Sequence, residues 1–549
     1  MSALTFAPQK PLLLLLNGAI HTLDPERPMV SAVAIDLAAG QIIATGDSGD
    51  IRRLAGSLTD TIDLRGRTVT PGFSDAHTHL VHYAQARLDV DLHGVTSESE
   101  AVARVVERAS RTPAGAWIVG RGWDANAWPG QRFPSRRSLD AAMPEHPVAL
   151  WNHDLHSLWA SSRALSAAGI TRETPDPHPG RIGHDHSGEP DGMLYEDAVA
   201  LVSDRIAPPS EDTLARELGV IQTELLAHGI TGVHNIENAR SLRLLQRMRA
   251  TGELRLRVLY YIPRHSLPSA LDLGLQADLG DDWLRFAGIK VFMDGALGSH
   301  TAAMLAPYEG EPGNLGMLTT TADEAEALVR EATAGGIGLA IHAIGDRAVH
   351  AALDGIEAVS RAGRMTFGAS GASLPVVRVR LEHVQLASDA DIARMASLGV
   401  VASVQPFHAV VDRDTAERSW GERFRRAYAY QRMRTAGIPL ALGSDVPVDT
   451  PDPLRIIHAA VARNNDETPE RPPWLPGEAL SLRQAIWAYT QGAAWAGGQE
   501  KRLGSIQRGK LADLVVFDED PFIMPPDRLA SLPVAATIVG GQLAHGSLS

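Results

Sequence analysis

Hydrophobic and polar positions alternate in short runs near both ends of the chain and change texture between them. Pro11–Leu16, Ser31–Ile35, Gln41–Thr45 and Asp60–Thr70 are apolar runs broken by turn residues, which predicts strands. Ala512–Phe517 and Val534–Val539 repeat that style, with Gly540-Gly541 as a hairpin signal. Neither end holds enough strands for a stable sheet alone. The expectation is one small β-sandwich built from residues 1–70 together with 500–549.

Eight further apolar runs are each followed by polar residues and a helical pattern, the signature of βα units. They are Val69–Asp75, Ile230–His234, Leu256–Ile262, Phe286–Phe292, Gly338–His342, Val376–His383, Val400–Val404 and Pro439–Gly443. Asp323–Ala334 and Ser388–Leu398 show the helical period. The class predicted is α/β: a (β/α)8 TIM barrel over residues 71–499, with function at the C-terminal ends of its strands. Residues 85–225 are too many for a loop. They predict an inserted subdomain after the first barrel strand, rich in tryptophan and placed to cover the mouth as a lid.

Composition narrows the classes. Hydrophobic residues at 44% and charged residues at 21% exclude disorder as the dominant state. A net charge of −14 without a basic run argues against a nucleic-acid partner and mildly against polyanionic substrates. The absence of cysteine excludes disulfides, thiolate zinc sites, iron–sulfur clusters and a cysteine nucleophile. Leu12–Leu16 is too short for a membrane span or a signal core, so the expectation is a cytoplasmic protein with no membrane association. Lysine occurs only at 10, 290, 501 and 510, so Lys290 stands alone in a long stretch that otherwise uses arginine. A chemical reason for an amine is worth seeking there.

Chelating side chains gather at the predicted strand ends. The first ends in Pro71-Gly-Phe-Ser-Asp75-Ala-His77-Thr-His79, and histidines at i and i+2 of an extended segment point the same way and can share one ion. Lys290 and Asp294 follow the fourth strand, His342 and Arg347 the fifth, His383 the sixth and Asp445 the eighth. Singly, each has a bland explanation in a satisfied core histidine, a cap or an ion pair. Jointly, bland explanations need five coincidences at strand ends in order.

The series Pro71–His79, Lys290, His342, His383 and Asp445 resembles the amidohydrolase superfamily. Arg121-Gly-Trp-Asp124, His153–Ser162, Lys290–Gly298, His342–Arg347, Gly443–Val448 and the closing run Gly504–Leu514 resemble its family-3 amidohydrolases, a group that includes N-substituted formamide deformylases. The resemblance runs over nearly the whole chain. It implies a zinc centre of two ions per chain: His77, His79 and Asp445 on the more buried ion, His342 and His383 on the more exposed one, and Lys290 bridging both as a carbamate. It further implies hydrolysis of a C–N bond in an amide, N-formyl or cyclic amide by metal-activated water. Asp445 would be the proton shuttle, and His383 would assist at the substrate carbonyl.

Substrate contacts are expected from His156, Asp294, Arg347, Gln405, Trp123 and Trp420, with Trp128 and His153 as further lid residues. The tryptophans can equally form the subdomain's own core. The partner expected is a small-molecule substrate, and pairing as a homodimer is a further expectation because barrels of this kind often pair. Deamination of a heterocycle, or ester or lactone hydrolysis, fits the same metal site. A Schiff-base enzyme with Lys290 as nucleophile and a barrel that binds without turnover are the remoter readings.

Overall fold

The computed structural model describes residues 11–207, 209–361 and 377–548. Residues 1–10 and Val376, at the start of two of the expected strands or segments, lie outside them. Eight parallel strands form the central sheet in sequential order: β1 (Phe73–Thr78), β2 (Ile230–Ile236), β3 (Arg257–Pro263), β4 (Leu284–Phe292), β5 (Gly338–Ala343), β6 (Val379–His383), β7 (Val401–Val404) and β8 (Leu440–Leu442). This is the α/β barrel that the eight apolar runs predict. Closure between β8 and β1 is made past the strands themselves, by a parallel bridge of Thr78 with Val446 and by backbone bonds from Asp445 N to His77 O (2.8 Å) and from His79 N to Val446 O (2.9 Å).

The run expected as the first barrel strand, Val69–Asp75, is divided. Thr68–Pro71 joins a six-stranded sheet with strands Leu514–Phe517, Val534–Val539 and Gln542–Gly546 from the far end of the sequence. Only Phe73 onward enters the barrel. Gly72 sits at the crossing, where a Cβ would lie 2.4 Å from Thr231 Oγ1 and its N–H already donates to Asp513 O at 2.8 Å, so backbone alone fits there. A four-stranded sheet of Leu12–Leu16, Ala32–Asp36, Gln41–Gly46 and Thr59–Asp63 packs with it around Leu13, Leu15, Val33, Ile35, Leu514 and Ile538.

Between β1 and β2 lies a separate mixed sheet of six strands spanning residues 90–196. Its core is aromatic: Trp123, Trp128 and Trp159 pack with ring centroids 5.8–6.3 Å apart, at offset and edge-on angles that suit ring quadrupoles. No described helix is long and apolar enough to cross a membrane.

One buried ion pair ties the barrel to the terminal sheet. Arg257 on β3 donates from Nε (2.6 Å) and Nη2 (2.8 Å) to the two oxygens of Asp513, and both residues are buried. The bidentate fit repays part of the desolvation cost, but removing one partner strands a charge in the interior. Asp513→Ala is expected to destabilise the chain by about 3–5 kcal/mol. Thermal unfolding against wild type checks this, and an unchanged midpoint refutes it.

Candidate metal centre

The barrel mouth opens into a cavity of about 270 Å³ lined by His77, His79, Lys290, His342, His383 and Asp445, together with residues from the inserted sheet. All six expected ligands therefore meet in one place. His77 is the last inward-facing residue of β1, and His79 caps the following helix, Leu80–Leu88. Lys290 is on β4, His342 on β5 and His383 ends β6. In the β5–β6 register His383 pairs with Ala343, which sets the His342 and His383 rings 4.5 Å apart, edge to face.

Asp445 reaches the mouth on a strained turn. Its φ is +61°, and His383 and Val384 stand at +71° and +45°, all in the left-handed region that side chains rarely occupy. Gly443, two residues earlier, passes so close to β1 that a Cβ would lie 2.6 Å from His77 N. Asp75 clamps the two chain segments, accepting from His77 N (3.1 Å), Ser444 N (3.0 Å) and Tyr489 Oη (3.1 Å). Burial pushes this carboxyl up to about 6, against those hydrogen bonds.

Donor atoms of His77, His383 and Asp445 all lie within 4.8 Å of one another, and all three residues are buried. Two neutral imidazoles and a carboxylate are a donor set that suits zinc. Burial first, and Lys290 second, bring His77 down to about 4, so its imidazole is neutral and its lone pair free for a cation. Burial would raise Asp445, yet the surrounding histidines hold it well below the usual carboxylate range. This compact group joins His77 and Asp445 from one expected ion to His383 from the other. His79 sits beside it with Nε2 3.1 Å from Asp445 Oδ1 and Nδ1 on Ile236 O at 2.6 Å. His342 turns Nε2 to Gly295 O at 2.9 Å, which leaves Nδ1 as its remaining donor atom. Lys290 Nζ lies 3.3 Å from His77 Nε2, and burial brings this amine down to about 8 against the charges of Glu382 and Asp445.

The orientation of His77 comes from a residue that the sequence did not single out. Its Nδ1 meets Glu382 Oε2 at 2.6 Å, and Glu382 is gripped in turn by Arg380, whose Nη2 donates to the same oxygen at 2.9 Å. Arg380 also donates to Ser403 Oγ (3.1 Å) and to the carbonyl of Ala76, and its Nη1 lies 2.6 Å from His234 Nδ1. Burial alone would raise Glu382; Arg380 and His77 instead hold it well below the carboxylate range. The available signal was a pair of opposite charges at i and i+2 in an otherwise apolar strand.

The expected substrate residues divide. His156 lines the cavity; burial opposes its charge, but Glu196, 2.9 Å from its Nδ1, lifts it to about 9. His153 also lines it. Gln405 acts one step back, with Oε1 2.9 Å from His383 Nδ1. Asp294 does not line the cavity, because its oxygens are taken by the backbone N–H groups of Ala303 (2.9 Å), Ile344 (3.0 Å) and Gly345 (2.8 Å), tying the loop after β4 to the loop after β5. Arg347 is exposed, on the first turn of the helix Asp346–Arg361 and away from the mouth. Trp123 and Trp420 are fully buried in hydrophobic clusters, with the Trp123 indole donating to Leu150 O at 2.8 Å, so neither touches the cavity. Trp128 likewise belongs to the core of the inserted sheet. Asp124, Asp154, Gln385, His408 and Asp412, none singled out as site residues from sequence, line the cavity instead.

Because Glu382 fixes the tautomer and direction of His77, Glu382→Gln is expected to weaken metal affinity by about 10–100-fold. Competition with a chromophoric chelator measures this. Wild-type affinity in the variant removes Glu382 from the account.

Comparison with known proteins agrees with this geometry. The chain is 30% identical over 539 residues to the putative amidohydrolase YtcJ of Bacillus subtilis, covering 96% of this chain and 98% of that one. It is 31% identical to the N-substituted formamide deformylase of Arthrobacter pascens, covering 97% and 98%. The crystal structure of an uncharacterised metal-dependent hydrolase from Pyrococcus furiosus superposes with a TM-score of 0.72 at 28% identity, covering 93% of this chain and all of that one. The sequence model of the amidohydrolase family matches residues 60–545, and with a barrel of that order and a cluster of metal donors at its mouth, the chain belongs to the amidohydrolase family.

Proposed function

We propose that the protein is a zinc-dependent hydrolase of a C–N bond in an amide, N-formyl or cyclic amide. The observation that carries this reading is the convergence of the His77, His383 and Asp445 donor atoms in the cavity at the barrel mouth, with Lys290, His79 and His342 around them. The likeness to the formamide deformylase supports the choice of bond. Lys290 suits a bridging role: an amine brought down to about 8 keeps enough neutral form near pH 7 to take up carbon dioxide, and the resulting carbamate offers two anionic oxygens.

A divalent ion held by these residues would supply a Lewis acid for the substrate carbonyl and a bound water of lowered pKa. The chain's own groups then do the rest. Asp445 Oδ1 lies 3.1 Å from His79 Nε2 and 3.5 Å from His77 Nε2, and Oδ2 lies 3.8 Å from His383 Nδ1 and 3.9 Å from His408 Nε2. This carboxylate takes the proton of the attacking water and passes it to the leaving nitrogen. His156, charged beside Glu196, presents a hydrogen-bond donor to the carbonyl oxygen as negative charge builds there. Phe292, Leu297, Ile344 and Val448 form the apolar wall that keeps bulk water from the reacting groups.

Asp445→Asn is expected to retain metal and to lose about 10²–10⁴-fold in turnover. Metal content by plasma emission and amine release from N-formyl and amide substrates measure both. A near-native rate in the variant overturns the proton-carrier role. Active wild-type protein that holds no metal overturns the hydrolase reading itself.

Metal content on wild type also tests the bridge. Two zinc per chain, with a carbamate ¹³C resonance that Lys290→Ala abolishes, is the expected outcome. One ion and no such resonance refute the carbamate.

A further inference from the structure

The cavity has a second chemically distinct wall, supplied by the inserted sheet and the segment after the helix Pro406–Val411 rather than by the barrel strands. Asp124 follows the strand Ile118–Trp123, and its Oδ1 accepts from Asn126 N (2.8 Å) and Nδ2 (2.9 Å). Asn126 Nδ2 also reaches Gly298 O at 3.2 Å, closing this corner against the loop after β4. Asp154 accepts from His156 N through Oδ1 at 2.9 Å, while its Oδ2 is buried with no hydrogen-bond partner. That oxygen lies over Gly298, where a Cβ would stand 2.8 Å from it, so the glycine leaves room for a carboxylate against bare backbone. Asp412 Oδ2 accepts from Tyr428 Oη at 2.7 Å. Gln385, a cavity-lining residue only 4% exposed, keeps its Oε1 buried with no hydrogen-bond partner.

Four acceptor-bearing residues thus line one cavity with no cation committed to them. Among the described residues none of Asp124, Asp154 and Asp412 forms an ion pair. The cations that act on them are His156, already engaged by Glu196, and the exposed Arg418. The three carboxylates work against one another: burial first, then Asp124 and Asp154, push Asp412 up to about 7. Such crowding is costly unless something positive enters. A bare metal ion does not answer it, since among the described residues only His77, His383 and Asp445 bring three donors within 4.8 Å. A wider spacing suits a polyatomic cation with several N–H groups.

We propose that this wall receives a cationic nitrogen of the substrate, a protonated amine or a guanidinium. The substrates are then amides whose amine portion carries a second, basic nitrogen. The assignment rests on the C–N hydrolase reading, because the scissile carbonyl is placed at the histidine end of the same cavity.

An isosteric pair tests it on the metal-loaded protein: N-formyl-1,4-diaminobutane, which ends in an ammonium, and N-formylpentylamine, which ends in a methyl. Formate release is expected to favour the charged compound in kcat/KM by about tenfold or more, the ratio that ~1.4 kcal/mol gives. Asp154→Asn and Asp412→Asn, made separately so that one misfolded variant does not decide the matter, are each expected to shrink that ratio towards one. If neither compound is hydrolysed, the N-formyl form of the C–N reading fails, and the charge preference is still read by calorimetry as a ratio of dissociation constants on wild type and variants. Equal constants for the two compounds, a preference for the neutral one, or binding of neither at millimolar concentration overturns the proposal.

Discussion

A carboxylate with no access to water stays charged only where other groups replace its hydration, and Glu382 is such a carboxylate. Arg380 provides the compensating charge, and the arginine is fixed in turn by Ser403, His234 and the Ala76 carbonyl. The product of this arrangement is a single hydrogen bond, donated by His77 Nδ1 to Glu382, that aims the opposite nitrogen of the ring into the cavity. Other groups at the mouth are placed against His77 through its backbone and its ring. Asp445 is hung from His77 O, Gly443 passes against His77 N, and Lys290 lies beside Nε2. The site is therefore built outward from an interior salt bridge rather than inward from the loops.

The mouth and the lid wall divide the chemistry between them. The barrel end contributes imidazoles kept neutral and a lysine of lowered basicity, both chiefly by burial, and an aspartate that the surrounding histidines keep ionised against burial. The inserted sheet contributes His156 with its Glu196 partner and the acceptors at Asp124 and Asp154. Behind those side chains lies the cluster of Trp123, Trp128 and Trp159 in the core of that sheet.

Much of this could be read from the sequence where local signals are strong. Eight apolar runs followed by polar residues gave the barrel, and the His77–His79 pair, Lys290, His342, His383 and Asp445 were legible because they fall at strand ends. What escaped depended on direction rather than identity. Trp123 and Trp420 lie near motif residues but turn into packed interiors, and Arg347 points outward from the first turn of a helix. Asp294 has the right composition and neighbourhood, yet three backbone N–H groups claim its oxygens. Glu382 shows in the local pattern only as the partner of Arg380 two residues away, and its bond to His77, on a strand distant in sequence, is not written there. The change of sheet at Gly72 is equally silent, because an apolar run reads the same whichever sheet receives it.

That change of sheet has a consequence for how the protein is made. Strand Thr68–Pro71 is paired to Leu514–Phe517, and the first barrel strand begins two residues later. From Phe73 to His77 is only about 13 Å of extended chain at ~3.3 Å per residue. On the ribosome, the stretch leading into His77 therefore waits for residues synthesised long after it before its entry into the barrel is pinned. Assembly of the side chains at the barrel mouth becomes a late event in biogenesis, after translation of the C-terminal strands, and chain prematurely ended before residue 514 carries those side chains without the anchor that aligns them.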